Sequence, residues 1–369
     1  MNNKQDGPNC SKRSKYDEET EKHLEQGDVL SESENDADLT DAPDVSYGSE
    51  QSQNEDYQSD FSQYKAAKFN STRQVIESEL GKEFVYSLEG DSPGIALVIN
   101  NEFKGQTYEN GTSAERHGSS HDYDELIRLL ESMGFEIYEK GMTNNLKVSE
   151  MEETIKAVAK KNNSEKTFGC VLLFIMSHGG FGCISGNDLE SNLRLQISDI
   201  IEKFVKNEFW KEKPKLFFFQ ACQGTTLDLG MDRLPNYIAV DTTADCGSDG
   251  PNENKVGSLA DIFVALSSNT PYRSYRLHGN PETDGSFFIQ NLVKRVRAHG
   301  NKLDLTQIMT ATIRDVGMLD LEMRTKENGK TVTKIVKQNP LYYNHLTKFF
   351  FFPDIVKKST GDDTKNESF

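Results

Sequence analysis

The chain has 369 residues, enough to bury the core of one large domain with a tail, or of two modest domains, without disulfide or metal staples. A formal net charge of −17 excludes a nucleic-acid surface, which needs clustered Lys and Arg, and no such cluster lines a predicted helix. Five scattered cysteines (Cys10, Cys170, Cys183, Cys222, Cys246), an N-terminus without an apolar h-region, and an apolar run of only Val171 to Met176 predict free thiols in a soluble cytoplasmic protein without membrane contact.

From Met1 to about Tyr64 the chain is rich in Glu, Asp, Ser, Asn and Gln, with isolated Leu24, Leu30 and Leu39, a composition that cannot bury a core. Order is expected from near Pro93. Ile95 to Ile99 reads as a strand covered on both faces. Leu126, Ile127, Leu129, Leu130 and Met133 recur at helical spacing, with Ser120 as the expected cap and Gly134 as the stop. Phe135 to Tyr138 reads as a second strand. Ser149 and Glu152 suggest a capping box for a helix through Ile155 and Val158. Cys170 to Met176 is a third strand, Ile197 to Val205 a helix, and Lys215 to Gln220 a fourth strand.

This alternation predicts an α/β layered fold: a central, mostly parallel sheet flanked by helices on both faces. Sites in such sheets collect beyond the carboxyl ends of the strands, which here are the loop after Ile99, Ser177-His178-Gly179 and Ala221-Cys222-Gln223. Asp228 to Lys255 reads as a linker too long for a compact domain. Order is expected to resume with a strand at Ala260 to Leu266, helices at Phe287 to Ala298 and Leu305 to Val316, and a last strand at Leu346 to Phe352.

Gln220-Ala221-Cys222-Gln223-Gly224 matches the known caspase signature Q-A-C-[RQG]-G, and His178 lies 44 residues upstream of Cys222. Only a thiolate attacks a carbonyl efficiently, and an imidazole can both promote ionisation of the thiol and later protonate the leaving amine. From about Pro93 to Pro353 the chain resembles the caspases, cysteine endopeptidases that cut after aspartate. The resemblance implies Cys222 as nucleophile, His178 as acid/base partner, and the backbone N–H groups of Gly179 and Cys222 as oxyanion donors. It implies that Arg116, Gln220 and Arg276 surround the substrate's P1 carboxylate, with Ser274, Tyr275 and Phe287 as further substrate contacts. Tyr275 and Phe287 stand where executioner caspases carry tryptophan, and Leu277 stands at a common asparagine. P1 aspartate is therefore expected without a firm P4 preference.

The same resemblance divides the chain into a prodomain (1–90), acidic and largely disordered, a large catalytic half (91–241), a linker (242–259) and a small half (260–369). It implies an executioner-like zymogen with Asp241 and Asp249 as linker cleavage sites and Asp36 and Asp44 as sites that release the tail. The expected partners are protein substrates, a second copy of the chain paired through the aromatic edge strand Leu346 to Phe352, an upstream activating protease and inhibitor proteins. No cofactor or metal is expected, because no C-x-x-C spacing occurs. Two alternatives remain at this point. One is a metacaspase-like enzyme, whose pocket for Arg or Lys should be acidic; the other is a catalytically silent homologue acting by dimerisation.

Overall fold

The computed structural model describes residues 45–46, 71–161, 166–189, 191, 193–229, 259–277, 284–327 and 330–356. Its first half runs β1 (Val45–Ser46), α1 (Thr72–Glu79), β2 (Ile95–Asn100), α2 (Ser119–Ser132), β3 (Glu136–Ile137), α3 (Val148–Ala159) and β4 (Val171–Met176). Three short strands follow, β5 (Gly179–Gly180), β6 (Cys183–Ser185) and β7 (Arg194–Gln196), then α4 (Ile197–Val205) and β8 (Lys215–Gln220). After the linker come β9 (Ile262–Leu266), β10 (Arg276–Leu277), β11 (Gly285–Ser286), α5 (Phe287–His299) and α6 (Leu305–Gly317). The last elements are β12 (Leu321–Glu327), β13 (Lys330–Val336) and β14 (Leu341–Asn344).

Every residue of β2, β4, β8 and β9 is buried, as continuous β-prone runs require when helices cover both faces. The sheet order among the described strands is β14-β9-β8-β4-β2-β3, parallel except for β14, which runs antiparallel to β9. Alternate residues feed two cores. Val98, Phe174, Phe218 and Phe263 meet α2, α5 and α6 on one face, while Ile99, Ile175, Phe219 and Val264 meet α3 and α4 on the other. Phe174 and Phe218 stack with centroids 4.5 Å apart. Full burial of side chains this large contributes about 1.5–3 kcal/mol each.

Local chemistry sets several boundaries apart from the expected ones. Helix α2 starts at Ser119 with Gly118 as its cap at φ 77°, not at Ser120, because β11 presses on this turn. A Cβ on Gly118 would lie 2.9 Å from the Gly285 nitrogen. The box that opens α3 is Glu150 accepting from the Lys147 N–H at 2.8 Å, two residues before the Ser149/Glu152 pair. Asp304 caps α6 by accepting from the Thr306 and Gln307 N–H groups.

Two larger expectations are corrected. The ordered chain begins well before Pro93: Ser71 and Gln74 form a capping box for α1, whose Ile76 packs with Val85 against Phe351. The segment Leu346 to Phe352 is not an edge strand. Phe350, Phe351 and Phe352 are buried, so its aromatic composition is satisfied inside this chain, and β14 takes the edge of the sheet. The same region is tied across the linker, since Asp261 Oδ1 accepts from the Tyr86 hydroxyl at 2.5 Å and from Thr347 Oγ1 at 2.6 Å. The sequence reading also missed a small sheet of β5, β6 and β7, and a second of order β11-β10-β1-β12-β13.

Candidate active site

Strands β4 and β8 run in register, Met176 opposite Gln220, and the Ser177 N–H donates to the Gln220 carbonyl at 3.1 Å. The two chains leave the sheet in step, so His178 and Cys222 are each the second residue beyond the same rung. The loops then touch: a Cβ on Gly179 would lie 2.9 Å from Ala221 Cβ and 3.1 Å from the Cys222 carbonyl oxygen. Glycine is required here by that close approach.

His178 is 8 % exposed, and its Nε2 lies 2.7 Å from the Ala114 carbonyl oxygen. A carbonyl only accepts, so Nε2 carries the proton and Nδ1 remains the basic nitrogen of the neutral ring. The Phe103 ring, 4.3 Å away centre to centre, fixes the imidazole on one side. The orienting group is thus a main-chain carbonyl, which no side-chain pattern in the sequence could reveal. Behind the histidine, the Asn101 amide donates to Ser177 Oγ at 3.2 Å, and Ser177 Oγ donates to the Ser185 carbonyl at 2.7 Å.

The signature pentapeptide is explained residue by residue. The Ala221 N–H donates to Ser267 Oγ at 3.1 Å, anchoring the turn before the cysteine. Gln223 is buried, and its Oε1 accepts from the Gly182 N–H at 3.2 Å, joining the two loops. Gly224 sits at φ 157°, where a Cβ would fall 2.1 Å from the Pro271 carbonyl oxygen. Cys222 Sγ accepts from the Ser274 N–H at 3.4 Å, which places this thiol beside the segment leading into β10. The other described cysteines differ: Cys170 is buried and its thiol is pushed up by that burial, while Cys183 is half-buried in β6.

Arg116 is 1 % exposed, and its Nη1 donates to the Asn101 carbonyl at 2.8 Å and to Asn100 Oδ1 at 3.2 Å. Gln220 donates from Nε2 to Ser274 Oγ at 2.7 Å, and its Oε1 has no hydrogen-bond partner among the described residues. A half-turn of that amide, with the serine hydroxyl then donating to Oε1, would present the NH₂ group to an incoming carboxylate. Arg276 lies half-buried on β10, opposite Ser286. Ser274 and Arg276 alternate with Tyr275, so they point away from it.

Tyr275 and Phe287 were expected to face substrate, yet they are 1 % and 7 % exposed and pack with Val316, Leu321, Met323 and Val336. In this arrangement they form the floor beneath the strand rather than an open wall. The structure also adds Asp122, which sequence reading missed. Fully buried at the start of α2, it accepts from the Ser286 N–H at 2.9 Å and from the Gln290 amide at 2.7 Å. Burial pushes its carboxyl up to about 6, against those hydrogen bonds and the positive charge of Arg116. Among the described residues no cluster of three His, Cys, Asp or Glu could hold a metal. The proposed cleavage sites Asp36, Asp44, Asp241 and Asp249, with Cys10 and Cys246, lie outside the described residues.

A family model described as the caspase domain matches residues 93–351. Caspase-3 of Bos taurus is 31% identical over 281 residues, covering 75% of this chain and 90% of the relative. Caspase drICE of Drosophila melanogaster is 29% identical over 271 residues, covering 73% and 72% respectively. The crystal structure of Caspase-1 from Spodoptera frugiperda superposes with a TM-score of 0.57 at 25% identity, covering 75% of this chain and 95% of that one. The chain belongs to the caspase family. It is a cysteine-type endopeptidase specific for aspartate.

Proposed function

We propose that this chain is an executioner-like caspase zymogen in which Cys222 and His178 cut protein substrates after a P1 aspartate. The observation that carries this reading is the matched exit of β4 and β8, from which both residues emerge two positions beyond one hydrogen-bonded rung. Nδ1 of His178 takes the thiol proton as Sγ attacks the carbonyl carbon of the P1 residue. The oxyanion faces the N–H groups of Gly179 and Cys222. The C–N bond breaks as the imidazolium returns its proton to the leaving amine. Water, giving a proton to the same ring, then attacks the thioester; the C–S bond breaks and the thiol is restored.

Arg116, Gln220 and Arg276 bind the P1 carboxylate, and a pocket of two guanidinium groups rejects neutral and basic side chains. With P1 anchored beside Ser274, the preceding substrate residues run along Tyr275, Arg276 and Leu277. That direction is antiparallel to β10, so the peptide adds as a strand to its edge. The outer edge of β14 has no strand partner among the described residues, and Tyr343 on it is 55% exposed, which supports pairing with a second copy there. Activation is assigned to cuts at Asp241 and Asp249 by an upstream protease, with Asp36 and Asp44 releasing the tail, in an apoptotic role in the cytoplasm. No described helix is long and apolar enough to cross a membrane.

The test is a fluorogenic tetrapeptide library varied at P1 and P4, with wild type and Cys222→Ala in parallel. Turnover confined to P1 Asp and lost in the variant is expected. Preference for P1 Arg or Lys, or no turnover after the linker is cut, would overturn the reading.

A further inference from the structure

We infer that the chain's own Val45–Ser46 strand occupies the peptide-accepting edge of β10 and competes with substrate for it; this rests on the reading of β10 as the substrate strand. Strand β10 has two edges. One is held by β11, with Arg276 opposite Ser286 and Leu277 opposite Gly285. The other is taken by β1, with Val45 opposite Leu277. A substrate strand that extends along β10 to Leu277 must therefore displace β1.

The segment is held from both sides. On its far edge β1 pairs antiparallel with β12, Val45 opposite Met323 and Ser46 opposite Glu322, so β1 closes the gap in a five-stranded sheet. Main-chain ladders of this kind are the affinity term in strand addition, and a slot bonded on two edges binds an extended peptide more firmly than one edge does. The sequence suits the position, since Val45 is β-branched.

The polarity explains why the occupant is not processed where it lies. Substrate must run antiparallel to β10, whereas β1 runs parallel to it. Val45 sits level with Leu277, three residues from Ser274, or about 10 Å along the strand from the nucleophile. The segment is therefore bound backwards and out of register with Cys222. Residues 41–44, Asp-Ala-Pro-Asp, immediately precede it, so a cut after Asp44 would separate β1 from the acidic tail and turn Val45 into a free amino terminus. A strand of two residues with a new charge at its head is easily lost from the slot.

The test compares the full chain carrying Asp44→Ala, which cannot be cut at that bond, with the same chain carrying Val45→Pro and Ser46→Pro, which removes both donors of β1. Each is assayed on a fluorogenic P1 Asp tetrapeptide after linker cleavage, and amide exchange is followed at residues 274–277 and 321–323. The expected result is a KM at least about tenfold lower in the proline variant, unchanged kcat, faster exchange at both strands, and restoration of the high KM by a synthetic peptide of residues 41–48 carrying Asp44→Ala. Equal KM and equal exchange in the two chains would overturn the inference. If neither chain turns substrate over but exchange rises in the proline variant, the occupancy stands and the protease reading fails.

Discussion

Gly179→Ala isolates the close approach that joins the loops carrying His178 and Cys222. A Cβ there would meet the Cys183 carbonyl oxygen at 2.6 Å, Ala221 Cβ at 2.9 Å and the Cys222 carbonyl oxygen at 3.1 Å. Ordinary contact begins near 3.4 Å, so the three neighbours fall short by about 0.8, 0.5 and 0.3 Å. Two of the three are main-chain atoms that cannot rotate aside, so the loops must part. Overpacking of this sort costs about 1–3 kcal/mol of stability. Parting of the loops shifts Cys222 against His178, and misplacement approaching an ångström lowers the rate by about 100-fold. Gly180→Ala is the matched control, because its Cβ would find only Cys183 Sγ at 3.7 Å. Steady-state kinetics on a P1 Asp peptide, with circular dichroism to verify folding, should give a 10- to 100-fold fall in kcat, by order of magnitude, for Gly179→Ala and wild-type values for Gly180→Ala. A folded Gly179→Ala enzyme with unchanged kcat would refute the claim that this glycine sets the spacing of His178 and Cys222.

Arg116→Lys keeps the charge and loses the planar fork, so kcat/KM for P1 Asp should fall by about 100-fold or more, measured against the same peptide series. Asp122 titrates at about 6 in the fold against an ordinary 3.8, so the folded protein holds a proton that the unfolded chain has released between those values. Stability is therefore greatest below pH 4 as far as this group is concerned and falls by about 3 kcal/mol as pH rises through 6. Urea unfolding of wild type and Asp122→Asn at pH 4.5 and 7 should show that slope diminished in the variant. Phe218→Ala, at a fully buried site stacked on Phe174, should cost about 3–5 kcal/mol in the same assay.

Continuous apolar runs such as Leu216 to Phe219 announce a strand buried on both faces, and the strand ends then point to His178 and Cys222 through the architecture alone. The capping shift at Gly118 was harder to read because a neighbour distant in sequence, Gly285, packs on that turn. The aromatic run Lys348-Phe349-Phe350-Phe351-Phe352 misled for a related reason. Composition reports that such residues need burial, but not whether α1 within the chain or a second copy supplies the cover. The β12–β13 hairpin did carry a signal, Asn328-Gly329 between alternating residues, which the run of charges around it obscured. Ala114 and Asp122 were beyond reach, one acting through its main chain and the other through a fold contact with Ser286.

The clasp made by Tyr86, Asp261 and Thr347, together with the pairing of β8 with β9, crosses the linker within a single hydrogen-bonded layer. A backbone nick between β8 and β9 therefore leaves the two pieces bound as one cooperative body at equilibrium. Refolding, however, changes its molecularity. The intact chain recovers from unfolding at any dilution, while the nicked one must find its other fragment by diffusion. The persistence of a nicked molecule would then be governed by how slowly it opens, and one that does open at low concentration would not re-form.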